Sequence, residues 1–380
     1  MRVLIAGAGI GGLTAALALH AVGVEAVVLE SAREIRPLGV GINLLPHAVG
    51  ELTRLGLDGE LARLGIATRE NLYCDSSGAR LFSEPRGLAG GYQHPQYSVH
   101  RGRLQTMLLS AVRARLGEDA VRTGMRVEGF DQDADSVRVG ISGRERPIEA
   151  DLLVGADGVH SVVRAQLHPG EGPLLWSGVR MWRGVTRMNP FFDGRTMVIV
   201  RGSGDGDAEL IAYPIGPASV NWVALVPVGE PGPLPGDAHW NRPGRAEDLL
   251  PLFDWNLGWL DVAELITRSE VLLEYPMVDR DPLPHWGHGR VTLLGDAAHP
   301  MYPVGANGAS QAVVDARVLA TELSGGSPAG LARYEGIRRD ATAEVIAANR
   351  EMQRTGGTRS PRELARITET YRRRTTAQGA

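Results

Sequence analysis

Residues 1–30 read MRVLIAGAGIGGLTAALALHAVGVEAVVLE. Residues 3–6 are a short apolar run of the kind that makes a buried strand. The run breaks into Gly7-Ala8-Gly9-Ile10-Gly11-Gly12, which satisfies G-x-G-x-x-G. Helical spacing through Leu13, Leu17 and Val22 follows, and Gly23 ends it. A second strand, residues 25–29, leads to Glu30, eighteen residues beyond Gly12. Each part has a mechanical reason. Gly7 makes the tight turn, Gly9 lets backbone approach a pyrophosphate, and Gly12 permits close packing of helix on strand. The unpaired N–H groups at the helix start then hold the phosphates without a cationic side chain. Glu30 accepts from a ribose hydroxyl. Gly-rich turns between strand and helix are common, but strand before, helix behind and an acid at this distance point to a dinucleotide site.

Composition narrows the chemistry. A chain of 380 residues with 43% hydrophobic and 22% charged content fits a soluble globular protein of about two domains. A net charge of -4 offers no basic face for nucleic acid or an anionic membrane. There is no lysine, so all 40 basic residues are arginines. That excludes a Walker-type phosphate lysine and a Schiff-base lysine. Cys74 is the single cysteine, which rules out an intrachain disulfide and a cysteine-cluster metal site. The chain opens on its first strand, and no apolar run approaches the roughly 18 residues of a membrane span. A cytoplasmic location, as monomer or homodimer, is the expectation.

Residues 31–46, opening on Ser31, form a loop rich in Gly and Pro, in which Gly39-Val40-Gly41 permits close approach of backbone to a planar ligand. Residues 47–64 read as one helix, and 73–97 as strands and loops of a second layer. Gly102 precedes an amphipathic helix carrying Leu104, Leu108, Val112 and Leu116, with Arg101 and Gln105 near its start. Residues 126–148 alternate like a meander. The buried strand 151–154 opens into Gly155-Ala156-Asp157-Gly158, a turn that sets an acid beside the phosphate loop. From 172 to 274 the texture becomes short β-type runs between Gly/Pro loops, and six of the seven tryptophans fall there. The strand 290–294 then gives way to Gly295-Asp296-Ala297-Ala298-His299-Pro300, followed by a glycine-rich turn and a helix over 309–323. Asp296 has the short reach to fix a polyol hydroxyl, and the helix start suits partial negative charge on a ring carbonyl. Asp296 and His299 around one turn do not make a metal site, and no metal is expected.

The expected fold is α/β: a Rossmann-like dinucleotide-binding domain (1–72, 98–171 and 275–329), an inserted antiparallel-sheet substrate domain (73–97 and 172–274), and a C-terminal helical segment (330–380). Three separated signatures stand in order, G-x-G-x-x-G with Glu30, GADG at 155–158 and GDAAHP at 295–300. Their order and spacing resemble the single-component, FAD-dependent aromatic hydroxylases of the para-hydroxybenzoate hydroxylase type. The resemblance implies non-covalent FAD, NADH or NADPH as co-substrate, and O2. It implies that Gly9, Ile10, Gly11, Gly12, Glu30 and Ser31 hold adenosine and pyrophosphate, and that Gly41, Arg101 and Gln105 contact the cofactor beyond them. Asp157 would lie near the pyrophosphate, Asp296 on the ribityl chain, and Pro303, Gly305, Asn307 and Gly308 along the flavin ring. The stretches EIRPLGVGIN, PQYSVHRG, MWRGVT, YPMVDRDPLPHWG and MYPVGANGASQA resemble the phenazine-hydroxylating members of that family. In the last stretch Asn307 and Ser310 replace the wider family's Gln and Asn. The 201–207 loop and the tail after 356 differ from those members.

By that resemblance, a flavin C4a-hydroperoxide transfers OH to an electron-rich aromatic carbon, so the protein supplies orientation and dryness, not a nucleophile. No convincing nucleophile–base pair is found, and no catalytic residue is assigned. The expected substrate is a phenazine carboxylate, hydroxylated with or without loss of CO2. The expected pocket walls are Trp182, Tyr213, Tyr302 and Val304, with Pro303. They are aromatic and apolar, suited to stacking on a large flat ring, with Arg183 as the exception. A flavin halogenase would need a lysine that this chain lacks. The alternatives are a hydroxylase of another flat aromatic or phenolic acid and a non-hydroxylating FAD reductase.

Overall fold

A computed structural model describes residues 1–202, 208–236, 242–355 and 360–376. Its first sheet is parallel, in the order Val291–Leu293, Leu152–Gly155, Arg2–Ala6, Glu25–Leu29, Val121–Arg122. Val3 pairs Leu152 on one side and Ala26 on the other. These strands are apolar throughout because helices cover both faces. The helix Ile10–Ala21 is buried almost all round, packed between the sheet and the helices Arg101–Leu116 and Asn307–Leu323. Val22, expected on its inward stripe, is the exposed residue that ends it.

A second, larger sheet carries Leu175–Thr186, Thr196–Arg201, Glu209–Gly216, Ser219–Pro227 and Ser269–Asp279 in antiparallel pairing. It departs from the wholly antiparallel expectation at one seam. Thr196–Arg201 pairs parallel with Glu70–Asp75, which brings the hairpin to Arg80–Pro85 onto the edge. Gln96–His100, whose first two residues were grouped with that layer on sequence, instead joins Gly41–Leu44 and Ile66–Thr68 in a small sheet of its own. The expected meander is there as Val127–Gln132, Val137–Ile141 and Ile148–Ala150.

Two helices, Pro46–Arg54 and Asp58–Leu64, replace the single one expected over 47–64. Gly56 separates them with φ +68°, a backbone setting that glycine reaches without strain. The C-terminal segment is helical as Gly330–Thr355 and Pro361–Thr376. One large core lies under the parallel sheet, and a second fills the space behind the larger sheet around Trp222, Leu249 and Leu265. The cavity described below opens between the two sheets.

Candidate active site

The first turn after Arg2–Ala6 is built by contact. A Cβ on Gly7 (φ +102°) would sit 2.5 Å from the Ala156 carbonyl oxygen, and one on Gly12 2.1 Å from the Gly7 oxygen. Gly11 packs the same way, with Leu294 Cδ2 2.7 Å from where its Cβ would be. Gly9 differs: nothing lies within 4 Å of its Cβ position, so it presents bare backbone to open space. It precedes Ile10–Ala21, whose first turn has no side-chain cap and no acid. Unpaired N–H groups at the positive end of a helix thus face that space, the arrangement that binds phosphate.

Glu30 and Gln105 clasp this turn at Ala8. The Ala8 N–H donates to Glu30 Oε2 at 2.9 Å, and Gln105 Nε2 donates to the Ala8 carbonyl at 2.7 Å. Glu30 Oε1 also accepts from the Ala32 N–H at 2.7 Å and the Ser31 hydroxyl at 3.2 Å. Asp157, expected beside a pyrophosphate, turns away from the cavity. Its carboxylate accepts from the Ser161 hydroxyl at 2.5 Å and the Val162 N–H at 2.8 Å, capping the start of Val162–Leu167. Burial nevertheless pushes the Asp157 carboxyl up, against those hydrogen bonds.

The turn after Val291–Leu293 hangs on a buried network. Asp315 accepts from the Gly295 N–H at 3.0 Å, pairs with His299 Nε2 at 2.6 Å and accepts from Arg338 Nε at 2.7 Å. Burial alone would raise its carboxyl, but His299 and Arg338 outweigh that and hold it at about 2. Arg164 anchors the same turn from the other side, donating to the Ala297 and Ala298 carbonyls at 2.9 and 2.8 Å and pairing with Glu171. Asp296, left projecting, opens into the cavity while walled by protein. Desolvation pushes its carboxyl up, with Asp315 adding and His299 and Arg101 opposing.

The cavity itself is about 1300 Å³, larger than the roughly 300–1,000 Å³ of ordinary ligand sites. Gly9, Ile10, Gly11, Arg101, Asp296, Pro303, Val304, Gly305, Gly308 and Tyr213 line it. The remaining expected residues do not. Gly12 is spent on the turn, while Gly41 abuts Asn221, which accepts from its N–H at 2.6 Å. Asn307 is fully buried behind the loop, and Tyr302 packs among Val179, Met181 and Met277.

Trp182 is a correction. Successive residues of a strand face opposite sides. Met181 and Arg183 line the cavity, so Trp182 points into the rear core with Trp222, Val198 and Ala224.

Residues 1–201 and 277–349 match the FAD binding domain family. Phenazine 1,6-dicarboxylic acid hydroxylase PhzS of Lysobacter antibioticus is 53% identical over 394 residues, spanning 97% of this chain and 96% of that one. The chain belongs to the FAD-dependent aromatic hydroxylases. Its activity uses NAD(P)H and O2. Another relative, 3-hydroxybenzoate 6-hydroxylase 1 of Aquipseudomonas alcaligenes, is 34% identical over 359 residues, 92% of this chain and 88% of that one. Klebsiella pneumoniae HpxO, solved with FAD and uric acid, superposes with a TM-score of 0.79 at 26% identity, covering 99% of this chain and 93% of that one.

The hydroxylase's cavity is more polar than the sequence suggested. Beyond Ile199 and Ile211 it is lined by Arg86, which donates to Gln96 Oε1 at 2.8 Å and Glu84 Oε1 at 3.0 Å. Arg201 pairs with Glu209 at 2.7 Å and lies over the Tyr73 ring at 5.7 Å. Arg183 donates to the Gly41 carbonyl at 2.7 Å. The expected apolar, charge-poor wall is therefore replaced in part by paired arginines and glutamates. Sequence reading missed Arg86 and Tyr371 and gave Arg201 no place in the pocket, because each reaches the cavity from a segment with no motif of its own. The 201–207 loop, singled out on sequence, lies outside the described residues from 203 to 207.

Proposed function

We propose that this hydroxylase acts on a carboxylated phenazine. The 53% identity to a phenazine 1,6-dicarboxylic acid hydroxylase across 97% of the chain carries the reading. A cavity of about 1300 Å³ supports it, since a tricycle and a flavin ring both need room. FAD fits the residues present: the bare Gly9 backbone, the uncapped helix start and the Asp296 carboxylate are the features a pyrophosphate and a polyol require. In this reading Gly9 to Gly11 hold the pyrophosphate, Glu30 the ribose and Asp296 the ribityl chain. Pro303, Gly305 and Gly308 border the ring. Tyr213, Val304, Met181 and Ile211 form the flat walls against which the substrate stacks. Reduced FAD supplies oxygen activation, and the protein supplies orientation and exclusion of water.

The overall reaction takes ArH, O2, NAD(P)H and H+ to ArOH, H2O and NAD(P)+. Where the attacked carbon bears a carboxyl group, CO2 leaves in place of the proton. The 3-hydroxybenzoate relative and the arginines at the cavity wall favour a second reading, a smaller phenolic acid held by ion pairing. Aerobic turnover of phenazine-1-carboxylate, phenazine-1,6-dicarboxylate and 3-hydroxybenzoate, scored by stimulated NAD(P)H oxidation and product mass, separates them. A hydroxybenzoate product with no phenazine product overturns the first reading. No helix among the described residues is long and apolar enough to cross a membrane. We place the enzyme in the cytoplasm as a monomer or homodimer; light scattering on the purified protein tests the oligomeric state, and fractionation of the producing cells tests the location.

A further inference from the structure

We propose that Tyr371, on the C-terminal helix Pro361–Thr376, is a positioning residue for hydroxylation: its hydroxyl holds the 304–307 turn at the cavity wall. The proposal rests on the reading of 303–308 as the loop that borders the flavin ring.

The turn is one that needs holding. Gly305 has φ +69° and Ala306 φ +59°. An alanine in left-handed backbone is uncommon and persists where its surroundings impose it. The imposing groups come from the two last helices. The Tyr371 hydroxyl accepts from Asn307 Nδ2 at 2.6 Å and lies 3.1 Å from the Val304 carbonyl and 2.6 Å from Asn349 Oδ1. A phenol has one proton, so it donates to one of these two oxygens at a time. Asn349, on Gly330–Thr355, donates through Nδ2 to the Tyr302 carbonyl at 3.1 Å. The Tyr302 carbonyl is thus gripped from behind, while the Val304 carbonyl shares the Tyr371 proton with Asn349.

The fit is close. A Cβ on Gly305 would lie 2.0 Å from the Tyr371 hydroxyl oxygen, so glycine here is what admits the tyrosine. Tyr371 itself lines the cavity with Gly305, Tyr73 and Arg86. Burial pushes its phenol well above the ordinary range, so the hydroxyl stays neutral at any working pH. Asn307 Oδ1, fully buried, has no hydrogen-bond partner among the described residues. The turn is therefore fixed through the amide nitrogen and the tyrosine alone on that side. A loop displaced by even about 1 Å moves the reacting centres out of alignment, and such shifts cost rate out of proportion to their size.

The test is Tyr371→Phe, purified as the FAD-loaded enzyme and assayed with whichever aromatic acid the wild type hydroxylates, so that a wrong phenazine assignment does not affect it. Three quantities are read: FAD affinity by fluorescence quenching, thermal midpoint, and product formed per NAD(P)H consumed. The expected result is folded protein with FAD affinity weakened about fivefold to tenfold. Product per NAD(P)H falls by at least half, with the missing electrons recovered as H2O2. Unchanged product per NAD(P)H, whatever the thermal midpoint does, overturns the proposal, because a purely structural tyrosine lowers stability without altering that ratio. Should Tyr371→Phe not fold, Asn349→Ala is read by the same ratio and the same criterion. It removes the nearer of the hydroxyl's two acceptors and the grip on the Tyr302 carbonyl.

Discussion

At the scale of single residues, Glu30 has two duties that compete for one carboxylate. It accepts from the Ala8 and Ala32 N–H groups, which orders the phosphate turn, and in the reading above it also receives the ribose. Glu30→Ala removes both, so FAD binding is expected to weaken by about 1.5–3 kcal/mol. Fluorescence titration of the apoprotein measures it, and an unchanged dissociation constant would contradict both duties. Asp296 is expected to split stability from function. Its folded carboxyl is raised above the unfolded value, so the ionised form costs stability. That cost is absent below the unfolded carboxyl range, grows as pH rises through it, and is full above the folded pKa. Asp296→Asn should therefore raise the thermal midpoint of the apoprotein at neutral pH, with the gain fading as pH falls. The same change should weaken FAD binding. A midpoint gain that persists undiminished at low pH would rule out this origin.

At the scale of elements, the strand Leu175–Thr186 shows where sequence reading stops. Both its faces are buried, one in the rear core and one toward the cavity, so apolar residues occur at odd and even positions alike. Local pattern cannot then say which of Met181 and Trp182 meets a ligand. Trp182 is 3% exposed. Trp182→Ala is expected to cost about 3–5 kcal/mol by chemical denaturation while leaving KM for the aromatic substrate unchanged. A raised KM without lost stability would restore it to the pocket. By contrast, the turns at Gly7, Gly155 and Gly295 were legible because strand, turn and helix start follow one another in the chain. The glycines are demanded there by contacts of 2.9 Å or less at Gly7 and Gly155, and by φ +62° at Gly295. Asp157 caps the helix Val162–Leu167 and Gln105 holds the Ala8 carbonyl, contacts that no motif could reveal, since a motif does not show which way a side chain turns. Arg86 and Tyr371 lay beyond reach, as only tertiary folding carries them to the cavity.

Across the whole molecule, the segment 330–355 is tied to the turn at Gly295 by Arg338. Its guanidinium meets Asp315, which itself holds Gly295 and His299. Removing one partner of a fully buried pair leaves the other charge uncompensated. Arg338→Met is expected to destabilise the fold by about 3–5 kcal/mol at neutral pH. Asp315, held at about 2, is depressed below its unfolded value, so its contribution is complete above that value and is lost as pH falls. The stability gap between variant and wild type should accordingly be full at neutral pH and narrow as pH drops through ~4 toward 2. Denaturant melts at several pH values give the curve, and a gap independent of pH would assign the loss to packing.

The parallel seam between Glu70–Asp75 and Thr196–Arg201 also bears on how the chain is made. A ribosome adds roughly 5–20 residues per second, so the hairpin over 70–85 emerges roughly 6–25 s before the strand that covers it. Through that interval Leu72 and Cys74, both buried in the finished protein, stand on an open strand edge. The parallel sheet waits longer still, for Val291–Leu293 to complete its border beside Leu152–Gly155. The nascent chain thus carries at least one unfinished edge from the time Asp75 is made until Leu293 is added, and it is then, before any cofactor can be held, that the protein is most open to chaperones and to aggregation.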